Sequence, residues 1–149
     1  VRRLMRSLNS DGRYEIPREI FWRISEHFYG CFADDETAVE TIRRVWRDHG
    51  YLLDPHTATG WAAAENYRRI TSDTRPMAVL STASPFKFPT AVLKALDAAP
   101  TGDDFEDLRK ISAISGLPVP ENLANLEHLP AIHTKVIEKN EMLDAIRGM

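Results

Sequence analysis

The sequence holds a single cysteine, Cys31, so no internal disulfide can form and a secreted, disulfide-stapled scaffold is excluded. It has no apolar run of the ~18 residues a membrane-spanning helix needs, and no basic start leading into an apolar stretch of signal-peptide length. The 7 glycines are dispersed, so neither a GxGxxG turn nor a P-loop is present to cradle a nucleotide phosphate. The GxSxG elbow of a serine hydrolase is missing as well, and Cys31 lacks the basic or helix-start setting that activates a thiolate. Metal ions need converging ligands, whereas His27, His49, His56, His128 and His133 are scattered, and no metal site is expected. An excess of one charge is also lacking: the formal charge is −3, and Arg2, Arg3 and Arg6 are followed by acidic residues throughout. Nothing global points to nucleic acid or membrane, and a reducing cytoplasm is the expected setting.

What is present is an ordinary globular composition, 43% hydrophobic and 28% charged over 149 residues, enough for one compact unit with its own core. The chain opens on Val1 in helical sequence, without an initiator methionine, which leads us to expect a fragment. Helical spacing predicts a short helix from Arg2 to Asn9 and a second from Pro17 to about His27, with Ile20, Phe21, Ile24 and Phe28 on one face. Phe28 to Ala33 reads equally as a short strand or a packed loop. The clearest helix follows a cap at Asp34 or Asp35, buries Ala38, Ile42, Val45 and Trp46, and stops at Gly50. Asp54 and Pro55 then form an N-cap and first-turn pair opening a helix rich in small residues.

Pro76 to Leu80 is a continuous apolar segment of strand length and is expected to be a buried, parallel strand. A polar loop, Ser81 to Lys87, follows, and Pro89 starts a helix with Val92, Leu93 and Leu96 on its apolar face. Strand, loop and helix make an α/β unit, whose ligands bind outside the carboxyl ends of strands. Further helices are expected over 104–115 and 141–146, with a last short strand within 129–137.

Two segments put hydroxyls, a carboxylate, an imidazole and a lysine where a sheet edge would meet solvent. They are Asp54-Pro55-His56-Thr57-Ala58-Thr59-Gly60 and Ser81-Thr82-Ala83-Ser84-Pro85-Phe86-Lys87-Phe88-Pro89. By physics alone Asp54 is a helix cap, and Ser81 and Thr82 are loop hydroxyls.

Both segments resemble motifs of the threonine synthase family, DPHTAxG and STAHPAKFP or STASPxKFP, in the family's order. Asp35-Glu36-Thr37, Thr41-Ile42 and Gly50-Tyr51-Leu52-Leu53 also look like the family, so the resemblance runs from about Arg2 to Asp97 and is only general beyond. Ser84 stands where one common version has histidine, and Phe86 where it has a small residue, so no role of that histidine carries over.

The resemblance implies an α/β fold, the C-terminal part of a fold-type II pyridoxal-phosphate enzyme with helices around a short, mostly parallel sheet, and one partial domain over residues 1–149. It implies conversion of O-phospho-L-homoserine and water to L-threonine and phosphate. Thr82 matches the residue whose hydroxyl meets the cofactor's pyridine nitrogen; Lys87, His56 and Thr57 are candidates for the substrate or cofactor phosphate. Lys87, Lys94, Lys110, Lys135 and Lys139 sit in no matching motif, so the Schiff-base lysine is expected upstream, in an N-terminal part against which this chain packs. The chain alone is therefore expected to be inactive. The alternative is a non-catalytic relative that binds a phosphorylated hydroxy acid or a partner protein.

Overall fold

A computed structural model describes residues 1–132 and 134–148. Its helices are α1 (Arg2–Asp11), α2 (Arg18–Ser25), α3 (Asp35–His49), α4 (Pro55–Thr71), α5 (Pro89–Ala95), α6 (Asp104–Ser115), α7 (Glu121–Ala124) and α8 (Met142–Arg147). Short 3₁₀ turns lie at Pro85–Lys87, Asn125–His128 and Lys139–Glu141.

The longer helices begin and end where local chemistry directs. The Asp34 carboxylate accepts the Thr37 N–H at 2.8 Å at the start of α3, and Gly50 ends it with φ 64°, a left-handed conformation that suits a residue without Cβ. Asp54 caps α4, Pro55 fills its first turn, and Asp103 caps α6 by accepting the Glu106 N–H at 2.8 Å.

α3 packs on α4 and α5, and α5 on α6. Ile42 and Val45 from α3, Leu53 before α4, Val92 and Leu93 from α5, and Ile111 from α6 meet in one core, closed by Phe86. Burying each such side chain contributes roughly 1.5–3 kcal/mol. Arg44 and Glu65 join α3 to α4 through paired hydrogen bonds, one of 2.7 Å, while Arg43 reaches the Lys94 carbonyl and Asp97 beyond α5, each at 3.0 Å.

The expected α/β fold is not what this chain forms: its described residues are helical and irregular, with no strand and no sheet. Pro76–Ser81 is the instructive part. It forms neither helix nor strand, and exposure alternates along it, with Met77 and Val79 half-buried and Ala78 and Leu80 exposed, Leu80 to 78%. That alternation is the pattern of an extended chain. Yet among the described residues its backbone makes no hydrogen bond to another backbone segment. A strand exists only by pairing, and the apolar run was read as buried on both faces when this chain covers one. The short strand expected within 129–137 is absent among its described residues; His133 lies outside them. Phe28–Ala33 is an irregular segment with Phe32 92% exposed, and α1 and α2 bury no residue, so the face expected of Ile20, Phe21 and Ile24 is open to solvent.

Candidate functional site

The start of α4 and the extended segment form the two sides of a cleft. Asp54, 1% exposed, accepts the His56 N–H at 2.9 Å and the Thr57 N–H at 3.2 Å on one carboxylate oxygen, and the Thr57 hydroxyl on the other. Thr57 Oγ1 in turn accepts the Thr82 N–H at 3.2 Å. The two segments singled out from sequence are thus joined by one chain of hydrogen bonds. His56, largely exposed, lies with its ring centroid 4.9 Å from that of Phe88 and its Nδ1 3.5 Å from the Asp54 carboxylate.

The cleft encloses about 440 Å³ and opens widely to solvent. His56, Thr59, Gly60 and Ala64 line it from α4, and Met77 to Leu80 with Thr82 line it from the extended segment. A Cβ built on Gly60 would stand 3.5 Å from Val79 Cγ1, so the segment lies against the helix at van der Waals distance. The lining is mostly apolar, with an imidazole and hydroxyls at its margin. Such a surface suits the flat face of an aromatic ring with a polar edge.

Thr82 lies on the cleft, exposed, and its hydroxyl makes no hydrogen bond among the described residues. His56 lies on the cleft too, while Thr57 is buried behind it. Lys87 sits exposed in the 3₁₀ turn after Ser84 and is not part of the lining. Asp54 is the cap that the sequence predicts, while its bond to the Thr57 hydroxyl is not among the expectations. The signal was available, because a carboxylate at a helix cap and a hydroxyl three residues on face each other across the first turn. Thr59, Gly60 and the exposed side of Met77 to Leu80, a segment expected inside a sheet, are not among the expectations either.

An extended segment laid on a capped helix, with an open and mostly apolar cleft between them, has the composition of a small-molecule surface. The family model described as "Threonine synthase, C-terminal" matches residues 57–147, most of the chain and both sides of that cleft. The chain belongs to the threonine synthase family. It is similar to a threonine synthase of Pseudomonas aeruginosa, 40% identical over 95 residues that make up 64% of this chain and 20% of that protein. It is also similar to threonine synthase-like 2 of Xenopus laevis, 29% identical over 74% of this chain and 23% of the relative. A crystal structure of pyridoxal-phosphate-bound threonine synthase from Brucella melitensis superposes with a TM-score of 0.64 at 32% identity, covering 87% of this chain and 24% of that one. The chain thus spans about a fifth of the length of these curated relatives.

Proposed function

We propose that this chain forms one wall of the active site of a pyridoxal-phosphate-dependent threonine synthase, which converts O-phospho-L-homoserine and water to L-threonine and phosphate. The carrying observation is Thr82, whose exposed hydroxyl stands unpartnered on the cleft while its backbone is tied to the start of α4. Family membership and the pyridoxal phosphate named in the Brucella structure support the same reading.

The residues present fit the cofactor as one side only. Met77, Val79 and Gly60 offer an apolar face, and the Thr82 hydroxyl offers a neutral hydrogen-bonding group for the ring nitrogen. When bound, the cofactor supplies an electron-withdrawing ring that stabilises carbanionic forms of the substrate. A hydroxyl, unlike a carboxylate, does not hold a proton on a pyridine nitrogen, so Thr82 moderates that withdrawal. His56 and Lys87 are the groups of this chain available to a phosphate, Lys87 as a compact charge on a mobile stem. Thr57 acts from behind, through its hydrogen bonds. The lysine that attaches the cofactor belongs to the remainder of the protein, and residues 1–149 are one partial domain of it. The expected setting is the cytoplasm; among the described residues, no helix is long and apolar enough to cross a membrane.

The test is phosphate release from O-phospho-L-homoserine by the full-length protein loaded with pyridoxal phosphate. Turnover upholds the reading. Binding of the substrate without turnover favours instead the non-catalytic module, a reading to which the threonine synthase-like relatives lend support.

A further inference from the structure

Asp54 does more than a helix cap requires. One carboxylate oxygen already accepts the His56 and Thr57 N–H groups, which completes the cap. The second oxygen accepts a hydrogen bond from the Thr57 hydroxyl. A hydroxyl has one proton and two lone pairs, so once that proton is engaged in a hydrogen bond to a carboxylate the oxygen can only accept in its remaining directions. There it meets the Thr82 N–H at 3.2 Å, across 25 residues of sequence. Among the described residues this is the only hydrogen bond made by the backbone of Pro76 to Thr82. Thr57 is 3% exposed and Asp54 1%, so the bond between them is shielded from water, while the bond from the Thr82 amide is part-buried.

We propose that Asp54 and Thr57 form a positioning unit: the carboxylate orients the Thr57 hydroxyl, and the hydroxyl fixes the Thr82 backbone and with it the Thr82 side chain at the cleft. The proposal rests on the reading of Thr82 as a cofactor contact. Neither Asp54 nor Thr57 is required to touch the cofactor.

The experiment uses the full-length protein and two readouts: hydrogen exchange of the Thr82 amide without cofactor, and affinity for pyridoxal phosphate by absorbance titration. Thr57→Val removes the acceptor at nearly constant volume and should speed Thr82 exchange about 5–10-fold, as expected for one lost hydrogen bond, with cofactor affinity falling by a similar factor. Thr57→Ser keeps the hydroxyl and should restore both. Asp54→Asn still caps the helix but turns one acceptor into a donor, so it too should speed Thr82 exchange. It decides the matter if Thr57→Val does not fold. Unchanged Thr82 exchange in Thr57→Val or Asp54→Asn overturns the proposal, as do equal losses in Thr57→Val and Thr57→Ser or unaltered cofactor affinity in Thr57→Val. A Thr82→Val protein with undiminished cofactor affinity overturns the underlying reading instead, a result distinguishable because Thr82 exchange is read without cofactor.

Discussion

On the proposed function, Thr82 is a small neutral residue at a place where a charged one would change the chemistry. A carboxylate facing a pyridine nitrogen stabilises its protonated form, because an opposite charge within hydrogen-bond reach favours the charged state. Thr82→Asp in the full-length protein should therefore alter the cofactor's absorbance spectrum and slow phosphate release, and an unchanged spectrum and rate would remove Thr82 from the site. The core makes a different demand. Leu93 is fully buried between α3 and α6, so Leu93→Ala should cost about 2–5 kcal/mol, the transfer term plus an unfilled cavity. A urea midpoint within error of the parent's would remove Leu93 from the core, because collapse around the loss spares only the cavity term.

Helix α4 lines the cleft, and its sequence balances two needs. Gly60 lowers helical stability by roughly 0.5–1 kcal/mol relative to alanine, yet its missing side chain keeps the cleft open beside Val79. Gly60→Ala should raise stability and be accommodated at ordinary contact distance, whereas Gly60→Leu should fill the cleft and abolish cofactor binding; equal affinity in both would place the cofactor elsewhere. The Arg44–Glu65 pair that fixes α4 to α3 adds a pH dependence. Burial alone would raise the Glu65 carboxyl, but hydrogen bonds from Arg44 and Trp61 outweigh it and hold the group below its ordinary 4.5. A depressed folded-state value means the contribution is complete above pH 4.5 and is lost as pH falls through the folded value. Because both side chains are more than a third exposed, it amounts to roughly 0.2–1 kcal/mol. The stability gap between the parent and Glu65→Gln should thus be present at neutral pH and narrow as pH falls below 4.5. Elements set by local chemistry were legible in the sequence: α3 and α4 announce themselves through Asp34, Gly50, Asp54 and Pro55. The link from Thr57 to Thr82 was not legible, since periodicity and capping report nothing about a hydrogen bond 25 residues away.

At the scale of the molecule, the same limit explains the missing sheet. Val79 and Leu80 have the composition of a strand, but a strand is completed by a neighbour, and the described residues of this chain provide none. The unpaired N–H and C=O groups of Pro76–Ser81, with Leu80 in solvent beside them, are the edge a further strand can join. Phe21, Trp22, Phe28 and Phe32 add exposed aromatic surface at the other end of the sequence. The chain covers about a fifth of these relatives, and on the function proposed above the further residues of such a protein would supply both covers. Buried, paired amides exchange slowly, and solvated ones exchange at nearly unprotected rates. Amides of Met77 to Ser81 should therefore be protected by orders of magnitude in the full-length protein and unprotected in residues 1–149 alone, which should also self-associate as concentration rises. If those amides exchange freely in the full-length protein as well, the segment is a surface loop, the cleft is not a wall of anything larger, and the proposed active site falls with it.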